Sequence, residues 1–76
     1  MNLSYDPKAN IAYVRFHEKR GTVTTLKISD EVYIDLAADG TVYGIELLNA
    51  NEQLANDHGR FIVETGNTRQ EIKLVA

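Results

Sequence analysis

Cysteine is absent from this 76-residue sequence, which excludes disulfides and thiolate metal sites. It also suits a reducing compartment. Basic charge is scarce: eight Lys and Arg stand against eleven Asp and Glu, for a net charge of −3. The one adjacent basic pair, Lys19-Arg20, falls in an expected turn. A binder of phosphate backbones usually carries a basic surplus or stripe, so nucleic acid is not an expected partner. No apolar run approaches the roughly 18 residues of a membrane span. Met1 to Asp6 carries no basic region followed by an apolar stretch, so the start does not read as a signal peptide. A cytoplasmic location without membrane association is the expectation.

Other chemistries are missing as well. The five glycines stand apart, one per turn or strand, and form no phosphate loop. Ser4 and Ser29 lack the Gly-x-Ser-x-Gly setting of a nucleophile elbow. His17 and His58 have no His or Cys partner at ligand spacing, so neither a metal nor any other cofactor is expected. No residue stands out as a catalytic group.

What is present is a rhythm of short strands. Turn signals recur about every ten residues between segments rich in Val, Ile, Tyr, Phe and Thr, the pattern of antiparallel hairpins. Leu3 to Tyr5 reads as a first strand. Asp6-Pro7-Lys8-Ala9-Asn10 reads as a type I turn, with proline presetting φ and the Asp6 carboxylate accepting a backbone N–H. Ile11 to His17 follows, with Ala12, Val14 and Phe16 on one face and Tyr13, Arg15 and His17 on the other. After Glu18 to Gly21 comes Thr22 to Ile28, polar enough for a place near an edge.

Val32 to Ala37 and Thr41 to Leu48 form the clearest hairpin, around Asp39-Gly40. A two-residue turn there places Leu36 opposite Tyr43, Ile34 opposite Ile45, and Val32 opposite Leu47. A three-residue turn would send those apolar sets to opposite faces, because side chains alternate along a strand. The even loop therefore predicts a core face of Val32, Ile34, Leu36, Tyr43, Ile45 and Leu47. The other face then holds Tyr33, Asp35, Gly44 and Glu46.

Asn49 with Glu52 three residues on resembles a capping box, predicting a short helix through about Asn56 or Asp57, ended near Gly59. Phe61 to Thr65, a Gly66-Asn67 turn, and Thr68 to Val75 read as a last hairpin, with Glu64 opposite Arg69 and Phe61 opposite Ile72. A helix over Arg69 to Val75 is the alternative.

The expected fold is thus α+β: one small domain over residues 1–76, an antiparallel β-meander of about five strands with one short helix and a C-terminal β-hairpin. A domain of this size buries only about 60% of its unfolded surface, so its core is marginal. The hairpin could extend the sheet or cross to a partner, and a homodimer or another protein partner is expected.

Two segments resemble domain-of-unknown-function family 2283, a group of small bacterial and archaeal proteins. One is Tyr5-Asp6-Pro7-Lys8-Ala9-Asn10-Ile11-Ala12-Tyr13-Val14-Arg15-Phe16. The other is Val32 to Leu36, Asp39-Gly40 and Val42-Tyr43-Gly44-Ile45-Glu46-Leu47-Leu48-Asn49-Ala50. Gly-Ile-Glu shortly after an Asp-Gly turn is the more specific element. Asn10 stands where the family tends to have Asp, and the stretch from Gly59 onward looks like an extra. The resemblance implies a fold rather than an activity. It also implies an antitoxin-type role, since some members sit beside small toxin-like proteins.

The candidate functional face is Tyr33, Asp35, Gly44 and Glu46, joined by Arg15. Asp35 and Glu46 on one face could do acid/base work or hold a hard cation. The structural reading of the pair is solvation, or pairing with Arg15 or a backbone group, which is the commoner fate of such carboxylates. Gly44 across from Asp35 marks a close approach of backbone or of a partner on that face. Tyr13, Arg15 and the Lys19-Arg20 turn form a weaker, nucleic-acid-type grouping. The leading functional reading is a protein–protein interaction module. A small enzyme using Asp35 and Glu46 is the alternative, followed by a weak nucleic-acid-binding module.

Overall fold

A computed structural model describes residues 1–18 and 21–75. Five strands form one antiparallel sheet: β1 (Asn2–Asp6), β2 (Ile11–Arg15), β3 (Val23–Lys27), β4 (Val32–Ala37) and β5 (Val42–Leu48). A short helix α1 (Ala50–Gln53) and a 3-10 helix (Asp57–Gly59) lead to a separate two-stranded hairpin, β6 (Arg60–Thr65) and β7 (Thr68–Lys73). The five-stranded antiparallel sheet, short helix and C-terminal hairpin are those the sequence predicts. Lys19 and Arg20, and with them the middle of the Glu18–Gly21 turn, lie outside the described residues.

The strand order is β1-β2-β5-β4-β3. Strands β3, β4 and β5 run as a meander, and the β1–β2 hairpin joins it through β2 and β5. That pairing sets Ala12 opposite Leu47 and Val14 opposite Ile45, with Tyr13 opposite Glu46 and Arg15 opposite Gly44. Like meets like on both faces, which is what fixes a register. The Thr- and Lys-bearing β3 takes an edge, where polar side chains discourage further pairing.

At the β4–β5 turn the structure differs from the predicted loop. Ala37 donates its N–H to the Thr41 carbonyl at 2.8 Å, and Gly40 donates to the Ala37 carbonyl at 2.9 Å. The loop therefore has three residues, Ala38 to Gly40, and Gly40 takes the positive φ of 87° that such a loop needs. Leu36 consequently pairs with Val42, not Tyr43. A bulge then shifts the register, and Asp35–Gly44, Ile34–Ile45, Tyr33–Glu46 and Val32–Leu47 pair as parity requires. The odd loop and the extra residue cancel. Tyr43 is the residue that pays: it leaves the predicted core face, and its ring lies 6.4 Å from Tyr13 and 5.4 Å from His17 on the other side.

The helix is shorter than expected, and its cap is different. Asn49 sits in the left-handed region at φ 53° and makes no capping hydrogen bond through its side chain. Its amide instead donates to Glu31 at 3.1 Å and Glu52 at 2.9 Å. Asn10 supplies the cap from the β1–β2 turn: its side-chain oxygen accepts the Asn51 N–H at 2.7 Å, and its carbonyl accepts the Ala50 N–H at 3.1 Å. Positive φ at Asp57 and His58 ends any helical continuation before Gly59.

Ala50 is fully buried, and Ala12 is nearly so. Tyr5 anchors the helix by donating to the Asn51 side chain at 2.7 Å. Among the described residues, no large side chain is fully buried. The molecule spans 35 × 32 × 18 Å, the thickness of a sheet with little stacked on it.

Candidate functional site

One face of the five-stranded sheet carries all five residues of the candidate functional face, together with Tyr13. Two cross-strand rows build it. One runs Asn2–Arg15–Gly44–Asp35–Thr25, and the other runs Ser4–Tyr13–Glu46–Tyr33–Lys27. Arg15, Tyr33, Asp35, Gly44 and Glu46 are thus brought together by register alone. Asp35 and Glu46 are diagonal neighbours on paired strands, a relation that sets residues about 7–8 Å apart and their Cβ atoms somewhat closer.

Tyr13 organises the centre. Its ring lies over Gly44, where an added Cβ would fall 2.6 Å from both Cε1 and Cζ and closer still to the hydroxyl oxygen. The close approach at Gly44, expected from backbone or a partner, is made instead by the chain's own Tyr13 side chain. The Tyr13 hydroxyl donates to Asp35 Oδ2 at 2.6 Å, and the Thr25 hydroxyl donates to Asp35 Oδ1 at 2.6 Å. One carboxylate oxygen is thus held from the adjacent β3 and the other from β2, across the intervening β5. The expectation that Asp35 would be solvated or pair with Arg15 or a backbone group is replaced by these two hydroxyl contacts. Thr25 and Tyr43 were missed as members of the face. Thr25 follows from β3–β4 pairing parity, whereas Tyr43 depends on a bulge that no residue pattern announced.

Partial burial, the hydrogen bond to Asp35, and the nearby Asp35, Tyr43 and Glu46 groups push the Tyr13 phenol well above its ordinary value of 10.0. Tyr13 therefore acts as a fixed hydrogen-bond donor, not as a base or nucleophile near neutral pH. With its hydroxyl held by Asp35 and its ring seated on Gly44, it is also committed to the sheet, not presented as a stacking platform. His17 packs edge-on against Tyr43 at 78° and borders an open depression of about 400 Å³ with Ala37, Ala38, Asp39 and Thr41. Among the described residues, no three His, Asp or Glu side chains converge as a metal site. No helix there is long and apolar enough to cross a membrane.

The other face of the sheet has the opposite character. It carries Leu3, Val14, Ile34, Ile45 and Leu47, all only partly buried. The α1 helix covers the Ala12 end. Elsewhere Phe16, Leu26, Ile28 and Val42 remain exposed, at 38%, 43%, 59% and 39%. The hairpin adds a second apolar surface: Phe61, opposite Ile72, shares a face with Val63, and all three are exposed.

Residues 2–51 match the model of the family described as Protein of unknown function (DUF2283). The chain belongs to this family. No curated protein and no solved structure matches the chain. The match takes in the five-stranded sheet and the start of α1. The β6–β7 hairpin lies beyond it.

Proposed function

We propose that this DUF2283 member is a protein–protein interaction module whose docking surface is the apolar face of the five-stranded sheet. The observation that carries the reading is the distribution of exposed large apolar side chains. Apart from Met1 at the N-terminus, those of the described residues are Leu26 and Val42 on that sheet face, Phe16 and Ile28 just past the ends of β2 and β3, and three residues on one face of the hairpin. Contiguous apolar surface on a small domain marks a place where something binds. The polar face supports the reading by contrast. Of its two carboxylates, Asp35 takes one internal hydroxyl donor on each oxygen, which suits a structural network better than acid/base chemistry. An antitoxin-type role, implied by family resemblance, is one instance of this class and draws no separate support from the geometry.

Native mass spectrometry of the chain purified from its own host tests the proposal. The expected result is an assembly heavier than the 8.5 kDa chain. Lysine at Leu26 and Val42 should return it to a single chain that still unfolds cooperatively. A wild-type chain that travels alone and unfolds cooperatively would overturn the reading.

A further inference from the structure

We infer that the occupant of the open sheet face is a second copy of this chain, with the β6–β7 hairpin of each copy lying across the sheet of the other. The inference rests on the interaction reading above and names its partner.

Area gives the first argument. A compact monomer of 8.5 kDa should expose about 4,700 Å² by the usual size scaling, whereas this chain exposes 5630 Å². The excess, about 900 Å², is close to the roughly 800 Å² that each partner contributes to a standard stable interface. One chain therefore carries about one half-interface of surplus surface.

Shape gives the second. The six-residue strands of the hairpin are about 20 Å long, and five strands span about 19 Å from β1 to β3. An arm of that length reaches across the sheet. Its two faces differ in chemistry. One carries the exposed Phe61, Val63 and Ile72 with the uncharged Thr65, Thr68 and Gln70, while the other carries Arg60, Glu64, Arg69, Glu71 and Lys73 around a half-buried Ile62. The charged face is internally paired, Arg60 to Glu71 at 3.1 Å and Arg69 to Glu71 at 3.0 Å. It can stay in water while the apolar face is covered. Because one chain carries both the apolar arm and the apolar sheet, a two-fold arrangement covers both surfaces on both copies at once and closes the assembly.

Sedimentation of the purified recombinant chain, with no other protein present, is the test. The wild type should sediment at twice 8.5 kDa at micromolar concentration. A sheet variant, Leu26→Lys with Val42→Lys, and an arm variant, Phe61→Glu with Ile72→Glu, should each weaken the dimer at least about thirtyfold. Mixing the two variants should restore it. The mixed dimer keeps one wild-type arm on one wild-type sheet and sets Glu against Lys at the other contact. A mixture that stays monomeric, or an arm variant that still dimerises, overturns the arm-on-sheet arrangement. Should a variant not fold, cross-copy nuclear Overhauser contacts between labelled and unlabelled wild type decide. Contacts from Phe61 or Ile72 to Phe16, Leu26 or Val42 support the inference, and contacts between sheets alone overturn it. A recombinant wild type that is monomeric and cooperatively folded defeats the second copy as occupant. The interaction reading then survives only if the host-purified chain is still heavier than 8.5 kDa.

Discussion

The two faces of the five-stranded sheet solve opposite problems. On one, Tyr13 rests on Gly44 and shares Asp35 with Thr25, so the polar groups at its centre close on each other within the chain. On the other, Phe16, Leu26, Ile28 and Val42 are only partly covered by the chain's own described elements. The strands alternate between both faces, so neither can change register without disturbing the other. What differs is where each face finds its partners: the polar one inside the chain, the apolar one outside it. Substitutions on the first should therefore change folding stability at fixed protein concentration, and substitutions on the second should change association.

Gly44→Ala should have the largest effect. The new methyl would occupy space held by the Tyr13 ring, forcing the ring aside and breaking its bond to Asp35. Overpacking of this kind costs about 1–3 kcal/mol, and the displaced hydrogen bond adds to it. Urea denaturation measures the loss. A double-mutant cycle with Tyr13→Ala sharpens it: without the ring, Gly44→Ala should be neutral or stabilising, because alanine has less chain entropy to lose. A full penalty persisting in the Tyr13→Ala background would show that the close approach is not what requires glycine.

Asp35→Ala comes next. It strands the Tyr13 and Thr25 hydroxyls, and the expected destabilisation is about 1–3 kcal/mol. Partial exposure of the site places the value toward the lower end, since water can reach the released hydroxyls. A loss of dimerisation with unchanged unfolding free energy would contradict the division of labour between the faces.

Much of this arrangement was legible before any coordinates. Alternation along β4 and β5 placed Tyr33, Asp35, Gly44 and Glu46 together, and Tyr13 and Arg15 shared a face by the same rule. The hairpin pairs Glu64–Arg69 and Phe61–Ile72 were likewise readable, because a two-residue turn leaves one register. What stayed hidden depends on contacts distant in sequence. Asn10 caps α1 from a turn about forty residues away, and local spacing assigned that task to Asn49 instead. The β4–β5 loop shows the other limit. Parity is a property of the whole hairpin, so it could not distinguish an even loop from an odd loop corrected by a bulge. Tyr43 was misplaced for that reason alone.

Tyr13→Phe removes one hydroxyl and leaves the ring on Gly44, so its effect should be smaller, about 1 kcal/mol at neutral pH. Its pH dependence is the sharper readout. The folded state holds the phenol protonated above the ordinary 10.0, while the unfolded chain releases it near that value. Tyr13 therefore has no pH effect on stability well below pH 10, and stability falls as pH rises through and beyond it. Tyr13→Phe should flatten that alkaline decline. Absorbance titration checks the same point: the substitution should remove one phenol from the unfolded-state titration near pH 10 and none from the native one.

The smallest effect should come from the turn that joins the two central arms. The Asp39 carboxylate accepts the Thr41 hydroxyl at 2.6 Å and the Thr41 N–H at 3.0 Å, and these bonds hold it below its usual value of 3.8. A depressed carboxyl contributes stability that is present above the unfolded value and lost as pH falls through the folded one. Denaturation midpoints should therefore decline on acidification below about pH 4 in the wild type, and less steeply in Asp39→Asn, which keeps an acceptor without the charge. The side chain is fully exposed, so the difference should be small and should shrink with added salt. Because Asp39 belongs to neither face, the same substitution should leave sedimentation unchanged. A shift in oligomeric state would mean that the loop geometry, and with it the bulge at Tyr43, helps shape the apolar surface as well as the polar one.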